Sequence, residues 1–501
     1  MKSKKQSFTA ILNHFLFLVG AIFISQSLFA QRLTVDNIKV FEGAGEIENL
    51  GYYAFYQADG ERGKMRNYTM KFYDFDYNLI GDEKVELSKR ATLVDSESNN
   101  THVAVALGDE KLKQLSIRSF DKTGNLEGEL DFPDQKFPTA DLYETANGFI
   151  IVNQKRTGFG GSKIEYEIVA VDNQLNILWE KEFDEDQNVT EIVDVYSQDE
   201  STVVVYSTGR GMKKEKYQQN LMRISKNGDV LFSKVFANNF YYFPNKILIK
   251  NDLTFIFGSF PKDEKSRPGG VFAIGFDNNG EIVMKNEIDY KDRISPEIED
   301  LITEDDINVK EDPQFIVNDV IVDGDDFYLI TETIRIRPAL GGSVEVYSSG
   351  GASGSLQVNT AFFMGDFLIL KLDKELKLEK VKVITKKPNK IVVQGVVFNV
   401  NQYYPIMKQR SSNMSNYQFF VRKDDGTPMI VYTIRKSYRS NVKVGVVDIT
   451  TDEKVTASNP VTSELEKLKD LGVFGVMRNK PGNLAVLIYK RGEMAFYELA
   501  Y

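Results

Sequence analysis

Apolar and polar residues along this chain follow one pattern that recurs about every 50 residues. A short, continuously apolar run is followed by a polar loop, and then by two alternating runs that flank a turn rich in Asp, Asn and Gly. Continuous apolar runs are typical of strands buried on both faces, and turns of this composition are typical of β-hairpins. A further strand candidate precedes each apolar run, so each unit is predicted to contain four strands.

The hairpin of this unit can be followed through most of the chain. Its turns are predicted to begin at Asp76, Asp121, Asp172, Ser225, Asp277 and Asp373, with spacings of 45, 51, 53, 52 and 96 residues. The apolar runs before them span residues 52–56, 103–107, 149–152, 203–206, 253–257 and 327–330. Four-stranded units with this period predict a β-propeller, in which each unit forms one blade.

The spacing of 96 residues is interpreted as one ordinary unit with two insertions. One insertion, at about residues 291–312, is acidic, and the other, at about residues 338–362, is rich in Gly and Ser. Residues 390–460 contain six strand candidates that we leave unassigned. The last unit lacks one strand, and an N-terminal strand around residues 33–41 is expected to complete it. We therefore predict an all-β propeller of seven or eight four-stranded blades, and favour eight.

Residues 1–30 have the three parts of a signal peptide. Lys2, Lys4 and Lys5 form a basic start, an apolar stretch covers residues 11–24, and a cleavage region ends at Ala30. We expect residues 31–501 to be a single propeller domain that is exported to the periplasm, the outer membrane surface or the extracellular space. No later segment approaches the roughly 18 apolar residues of a membrane-spanning helix.

Composition excludes several kinds of chemistry. The 501 residues include no Cys and only two His, His14 and His102, which excludes Cys-ligated metals, thiol nucleophiles and disulfides. The net charge of −10 becomes −13 when the three lysines of the signal peptide are removed. An acidic protein of this kind is a poor match for nucleic acid. We expect neither a metal nor a cofactor.

The strings "VAVDNQLNILWEKEF" and "RSFDKTGNLEGEL" resemble the hairpins of secreted β-propeller repeats of the quinoprotein-like type. The signal ending "SLFAQ" and the many Tyr, Phe, Lys and Asn residues are similar to those of exported Bacteroidota proteins of unknown function. True quinoprotein repeats carry a Trp in each blade, whereas this chain has only Trp179. The resemblance therefore implies a fold and a compartment, but no quinone cofactor and no particular activity.

Three local motifs are candidate sites. His102 is an acid–base candidate, and a Ser-His-Asp triad would require it, but we interpret it as an ordinary residue at the start of a strand. Residues 158–163 lack the spacing of a phosphate-binding loop and precede no helix, so we predict a hairpin loop. Residues 277–281 hold too few ligands for a calcium loop and are predicted to be a plain turn.

Basic residues recur in the segments between the second and third strand of each unit. Because strands of a blade are antiparallel, these connections should emerge on one face of the propeller. The candidate anion-binding set, the basic crown, comprises Lys64, Arg66, Lys155, Arg156, Arg210, Lys213, Lys265, Arg267, Arg335, Arg337, Lys408 and Arg410. Such a crown would attract an acidic glycan, a lipid head group or an acidic protein.

These features favour an exported, non-enzymatic propeller that binds an anionic partner on one face. The alternative is a carbohydrate-active hydrolase that uses two carboxylates. A third interpretation, an outer-membrane β-barrel, conflicts with runs such as residues 203–206, which do not alternate between apolar and polar positions.

Overall fold

The computed structural model of the protein describes most of the chain from Phe29 to Tyr501. The segments that it leaves out are residues 1–28, 48–49, 59–64, 136–137, 158–162, 184–188, 199–200, 210–217, 238–241, 262–267, 299–313, 341–357, 386–388, 394–416, 436–441, 451–454 and 457–472. The predicted motif at residues 158–163 therefore falls almost entirely outside the described residues.

The described residues are almost entirely β-strands. The first half of the chain forms β1 (Phe29–Val35), β2 (Val40–Ile47), β3 (Gly51–Gln57), β4 (Met65–Asp74), β5 (Leu79–Ser88), β6 (Ala91–Ser98), β7 (His102–Asp109), β8 (Gln114–Asp121), β9 (Leu126–Phe132), β10 (Thr139–Thr145), β11 (Gly148–Thr157), β12 (Lys163–Asp172), β13 (Ile177–Glu182), β14 (Val189–Gln198), β15 (Ser201–Thr208), β16 (Gln218–Ser225) and β17 (Val230–Ala237). The second half forms β18 (Phe243–Lys250), β19 (Leu253–Pro261), β20 (Pro268–Phe276), β21 (Ile282–Asp289), β22 (Gln314–Asp323), β23 (Asp326–Leu340), β24 (Val358–Leu372), β25 (Leu378–Thr385), β26 (Asn389–Val393), β27 (Tyr417–Arg422), β28 (Pro428–Arg435), β29 (Val442–Asp448), β30 (Val455–Thr456), β31 (Val473–Arg478), β32 (Asn483–Lys490) and β33 (Glu493–Ala500). A π-helical turn (Tyr290–Ile294) and the short helix α1 (Ser295–Ile298) follow β21.

These strands form eight sheets, one for each blade of a propeller, and their pairings are antiparallel except for the short parallel contact between β25 and β30. Blades 1 to 5 are the consecutive sets β2–β5, β6–β9, β10–β13, β14–β17 and β18–β21. Blade 6 is built on β22–β25, with β26 beside β24 and β30 beside β25. The described strands of blade 7 are β27–β29. The predicted all-β propeller is confirmed, and the number of blades is eight.

Blade 8 joins the two ends of the described chain. Its strands run in the order β1, β33, β32 and β31, so the N-terminal strand is the outermost strand of the C-terminal sheet. Leu33 pairs with Phe496 and Val35 with Met494 in this ladder. The sequence predicted closure by an N-terminal strand, but the closing strand ends at Val35 and β2 begins at Val40 as the first strand of blade 1. The ring is therefore closed by backbone pairing.

The core lies in the seams between neighbouring sheets. One seam holds Ile150, Ile168 and Trp179 of blade 3 against Val204 and Met222 of blade 4, all of them buried. The second strand of each blade is apolar on both faces because it contributes to two seams at once. This accounts for the continuous apolar runs in the sequence.

A recurrent turn joins the third and fourth strands of a blade and packs against the preceding blade. In blade 2, Asp121 Oδ1 accepts the N–H groups of Thr123 and Asn125, both at 2.8 Å. The same pattern is centred on Asp172, Asp277 and Asp373, and Ser225 provides a hydroxyl in its place. In blade 1 the turn is centred on Asp74, two residues before the predicted start at Asp76. The first prediction of the series was therefore shifted by two residues.

The fourth residue of this turn has a left-handed backbone. It is Gly124 (φ 87°), Gly228 (φ 89°) and Gly280 (φ 75°) in blades 2, 4 and 5. Each of these glycines lies directly against the preceding blade. Gly228 and Gly280 contact its fourth strand, at Trp179 and Phe232, and Gly124 contacts Phe72 of its third strand. A turn with few side-chain atoms lets adjacent blades approach closely.

No helix among the described residues has the length and apolar character needed to cross a membrane. The acidic insertion predicted at about residues 291–312 begins with the π-helical turn and α1, and the rest lies outside the described residues. The insertion predicted at about residues 338–362 includes the end of β23 and the start of β24. The boundaries of both insertions, like those of the signal peptide, stay predictions.

Candidate functional site

The first strand of each blade faces the centre of the ring. These strands contact one another in sequence, from β2 to β6, β10, β14, β18, β22 and β27, and β31 contacts β2. Side chains on these strands can therefore approach each other from several blades. The axis is the place in a propeller where the largest number of repeats converge.

Charged residues occupy one equivalent position on five consecutive inner strands. Each pairs in the antiparallel ladder with a fully buried residue of the second strand, namely Ala106, Val152, Val205, Phe257 or Ile330. We call these five residues the axial ring: Asp95, Asp141, Asp194, Lys246 and Asp319. A β-bulge immediately precedes four of them, the exception being Asp141.

The axial ring links neighbouring blades. Asp95 Oδ2 accepts a hydrogen bond from the backbone N–H of Leu142 in blade 3 (2.7 Å). Asp194 Oδ2 accepts one from Ile247 N–H in blade 5 (3.1 Å). Because a buried N–H group without a partner is costly, each carboxylate stabilises the inner strand of the blade that follows it.

Lys246 is the cation of this ring. Its Nζ lies 3.7 Å from Asp319 Oδ1, and Asp319 Oδ2 in turn accepts a hydrogen bond from Tyr417 Oη of blade 7 (2.5 Å). The negative charge of Asp319, reinforced by that of Asp194, raises the pKa of Lys246 above its usual value. The Lys246 side chain is 41% exposed although it lies among the inner strands, so water reaches the axis here.

Two carboxyl groups on β6 bind their protons unusually tightly. Burial raises the pKa of Asp95 to about 6, and the nearby Asp141 adds to the effect. Burial likewise raises the pKa of Glu97 to about 7, with further contributions from Glu144 and Asp95. A carboxyl group with a pKa near neutrality can donate a proton, whereas an ionised neighbour can accept one.

The residues of the axis act on each other across blades. The charge of Lys246 in blade 5 counteracts in part the raised pKa of Glu97 in blade 2, so charges on blades that are not adjacent influence each other at the axis. Burial and the charges of Asp194 and Asp141 raise the pKa of Tyr143 well above its usual value, so its hydroxyl stays protonated. Within the described part of the chain, no three His, Cys, Asp or Glu side chains are arranged to hold a metal ion.

The sequence did not identify the axial ring as a site. Asp95, Asp141, Asp194 and Asp319 each lie three or four residues before the end of the first strand. The recurrence of Asp near the end of the first strand in four repeats is the sequence signal from which these residues could have been predicted. Bulges and unequal hairpins shift the spacing by several residues, and this concealed the equivalence.

Five of the twelve residues of the basic crown lie among the described residues. Arg66 Nη1 donates to Gln57 Oε1 (3.3 Å), and Lys155 Nζ forms an ion pair with Glu167 Oε2 (3.1 Å). Arg156, Arg335 and Arg337 are placed by their backbone alone, on β11 and β23. The remaining crown residues lie outside the described residues: Lys64, Arg210, Lys213, Lys265, Arg267, Lys408 and Arg410.

The strand order revises the assignment of two crown residues. Lys408 and Arg410 come before β27, the first strand of blade 7, and therefore do not belong to a connection between second and third strands. That connection in blade 7 is residues 436–441, which contain Lys436 and Arg439.

Acidic residues predominate at the turns on the opposite face. The turns between third and fourth strands include Asp76 and Glu281, and the hairpin between β22 and β23 includes Asp325. The side chains of these three residues are 67%, 68% and 75% exposed. Hydrogen bonds from Glu281 and Asn279 lower the pKa of Asp277, so this turn carries its charge even in mildly acidic solution.

His102 belongs to a polar cluster on that acidic face, at the seam between blades 2 and 3. It is the first residue of β7, as predicted, and its side chain is only 11% exposed. Its Nε2 lies 2.9 Å from Glu127 Oε2, and its Nδ1 lies 2.8 Å from Thr101 Oγ1. Two residues of blade 3, Asn173 and Gln174, donate hydrogen bonds to Thr101 and Glu127.

A family model spans nearly all of this arrangement, matching residues 11–493. The chain belongs to DUF6770, a family of unknown function. No curated protein matches the chain. Membership of this family agrees with the predicted propeller of unknown function, and it assigns no ligand.

Several solved structures are similar to the chain at low identity. The WD40 domain of SCAP from fission yeast has 9% identity and a TM-score of 0.38, over 94% of this chain and 98% of that one. The β-propeller domain of the Trilobed protease from Pyrococcus furiosus has 10% identity and a TM-score of 0.33, over 73% and 98%. A protein of unknown function from Bacteroides caccae has 10% identity and a TM-score of 0.25, over 68% and 92%.

Proposed function

We propose that this protein is an exported β-propeller that binds an anionic partner on the face formed by the connections between second and third strands. The observation that carries the proposal is the uneven distribution of charge among the classes of connection. Residues 210–217 contain four basic residues and one acidic residue, and residues 110–113, 436–441 and 491–492 also carry a net positive charge. The other hairpin classes are mainly acidic.

This distribution favours anion binding by a protein whose net charge is negative. A uniformly acidic surface would repel an acidic glycan. With one basic and one acidic face, the protein instead turns its basic face toward the glycan. Lys and Arg side chains on several neighbouring loops can contact several anionic groups of one polymer at the same time. A polyanionic glycan is therefore the partner class that we propose.

The test is a charge-neutralised triple variant and a matched control. Arg156→Gln, Arg210→Gln and Lys213→Gln together remove three charges from the crown, and Lys122→Gln, Lys226→Gln and Lys374→Gln remove three from the opposite turns. We expect the crown variant to elute earlier from an immobilised polyuronic acid and to show a weaker salt dependence, while the control elutes like the wild type. Equal elution of both variants would mean that the crown has no binding role.

A second function is favoured by the titration of the axial carboxyl groups. Glu97 and Asp95, with pKa values raised to about 7 and about 6, lie near Asp141 and Glu144, which suits acid and base roles in glycoside hydrolysis. Release of reducing ends from a panel of polysaccharides would support it, provided that Glu97→Gln abolishes the release. No release from any of them by the wild type would leave binding as the function.

Export is part of the first proposal. If residues 1–30 are removed by a signal peptidase, the mature chain begins at Gln31, which lies within β1. The intact mass of the protein recovered from the periplasm or the medium measures this directly. A mass that includes residues 1–30 would contradict cleavage.

A further inference from the structure

The polar cluster at His102 contains a hydroxyl, an imidazole and a carboxylate in series. Thr101 lies in the hairpin between β6 and β7, and its residue is exposed on the acidic face. The distance from Thr101 Oγ1 to His102 Nδ1 is 2.8 Å, and the distance from His102 Nε2 to Glu127 Oε2 is 2.9 Å. Both distances are those of hydrogen bonds between directly interacting groups.

The bonding around the ring determines which nitrogen carries the proton. Glu127 is an acceptor, so Nε2 donates to it and Nδ1 is left as an acceptor for the Thr101 hydroxyl. Asn99 Oδ1 also lies 3.1 Å from this hydroxyl, but it already accepts the N–H groups of Thr101 and His102 at 3.0 and 2.9 Å. The imidazole is therefore oriented to accept the Thr101 proton.

Two side chains of blade 3 complete the arrangement. Gln174 Nε2 donates to Glu127 Oε2 (3.0 Å) and holds the carboxylate against the imidazole. Asn173 Nδ2 donates to Thr101 Oγ1 (3.2 Å), so an amide N–H stabilises the negative charge that develops on this oxygen as its proton leaves. Asn99, which is 2% exposed, fixes Asn173 through an amide–amide hydrogen bond of 2.9 Å.

We propose that Thr101, His102 and Glu127 form a nucleophilic relay that hydrolyses short-chain acyl esters at the seam between blades 2 and 3. Thr101 is the nucleophile, His102 the general base and Glu127 the group that orients the imidazole and stabilises its protonated form. The inference is independent of the proposed binding function, because the relay lies on the opposite face from the crown.

The reaction balances with the ester and water alone. Thr101 Oγ1 bonds to the ester carbonyl carbon while its proton passes to His102 Nδ1. The bond from that carbon to the leaving oxygen then breaks, Nδ1 returns the proton to this oxygen, and an alcohol is released. Water attacks the acyl-threonine, loses a proton to Nδ1, and the carboxylic acid leaves as Thr101 Oγ1 recovers its proton.

The surroundings indicate a neutral substrate. The acidic residues Asp121, Glu127 and Asp172 lie on the nearby strand ends and turn, and they would repel an anionic ester. The donor beside the hydroxyl is an uncharged amide, and Thr101 lies on an exposed hairpin. A small acyl group, such as the acetyl ester of a sugar hydroxyl, fits this description.

The test uses p-nitrophenyl acetate with the mature protein. We expect Thr101→Val to lower the hydrolysis rate by about 100-fold or more and Thr101→Ser to retain it, because serine keeps the hydroxyl. Thr123→Val is the matched control: Thr123 is an exposed hydroxyl of the same blade that bonds to Asp121 and not to an imidazole. We expect this control to leave the rate unchanged.

A covalent readout excludes adventitious hydrolysis. After brief exposure to the ester, peptide mapping should locate an acetyl group on Thr101 in the wild type and none in the Glu127→Gln variant, whose carboxamide no longer stabilises the imidazolium. A wild-type rate in the Thr101→Val variant, or acetylation confined to surface lysines, would overturn the proposal. The elution behaviour of the crown variants does not bear on either outcome.

Discussion

Asp95 in the first strand of blade 2 accepts a 2.7 Å hydrogen bond from the backbone N–H of Leu142 in the first strand of blade 3. The same carboxyl group is partly buried, and this raises its pKa to about 6. The Asp95 side chain therefore joins two blades through a hydrogen-bond acceptor, which both the protonated and the ionised carboxyl group can provide. The negative charge of the ionised form is unfavourable in this environment. The stability of the axis should depend on pH for this reason.

The variant Asp95→Asn keeps an acceptor for Leu142 and removes the charge. Because the pKa is higher in the folded state than in the unfolded chain, the acid form stabilises folding at low pH, and this contribution is lost as the pH rises through about 6. We expect Asp95→Asn to be more stable than the wild type at pH 8 by about 1–3 kcal/mol. The difference should disappear near pH 4, as measured by urea unfolding. An Asp95→Asn variant that is less stable than the wild type at pH 8 would contradict this account. Asp95→Ala, which lacks the acceptor for Leu142 N–H, is the control and is expected to be destabilised.

The turn of blade 4 has Ser225 at the position where the equivalent turns of other blades have Asp, so the two residue types can be exchanged by mutation. Ser225 Oγ accepts the N–H groups of Asn227 and Asp229 at 3.2 Å, whereas Asp172 Oδ1 accepts the equivalent groups at 2.9 and 2.8 Å. Charged acceptors form stronger hydrogen bonds. We expect Ser225→Asp to raise the free energy of unfolding by roughly 0.5–1.5 kcal/mol and Asp172→Ser to lower it by a similar amount. Thermal unfolding of the pair measures both, and changes of the same sign would refute the comparison.

Gly124 is constrained both by its backbone and by its neighbour. Its φ is 87°, and a Cβ atom would lie 2.6 Å from Phe72 Cδ2 of blade 1. Gly426 has almost the same φ, 86°, but open space around it. We expect Gly426→Ala to cost about 1 kcal/mol from backbone strain alone and Gly124→Ala to cost at least about 2 kcal/mol more. Denaturant unfolding at constant pH measures the difference, and equal costs would mean that the seam can relax around the added atom.

Closure of the ring depends on β1. Its residues pair with β33, and Arg32 Nε forms an ion pair with Glu498 Oε2 (2.8 Å). A chain that begins at Gln31 keeps most of this ladder, whereas a chain that begins at Asp36 leaves β33 with an unpaired edge. We expect the shorter chain to lose more than about 3 kcal/mol of stability, since it lacks several backbone hydrogen bonds. The measurement is the rate of limited proteolysis together with the unfolding midpoint, and identical behaviour of the two chains would show that closure is not required.

Short-range features of the fold could be predicted with accuracy. The Asp turns depend on contacts within five residues. The positions of Asp121, Asp172 and Asp277 in the sequence are therefore enough to predict them. The second strands, such as β7 and β15, read as continuous apolar runs because both of their faces are buried. The axial ring could not be predicted in this way, since a bulge before Asp95 or Asp194 changes the spacing without changing the composition. The relay at His102 could not be predicted from the sequence either, because Glu127 comes from a different strand of the same blade and Asn173 comes from the next blade.

The sequence by itself determined the repeating unit, its four strands and the turn chemistry, because these depend on the order of neighbouring residues. It also indicated that the missing strand of the last blade comes from the N-terminus. Only the tertiary structure decided that eight units close the ring, that Lys246 lies beside Asp319 of the next blade, and that His102 meets Glu127. Those relationships depend on how sheets pack around an axis, and packing brings together residues whose separation along the chain carries no signal of their contact.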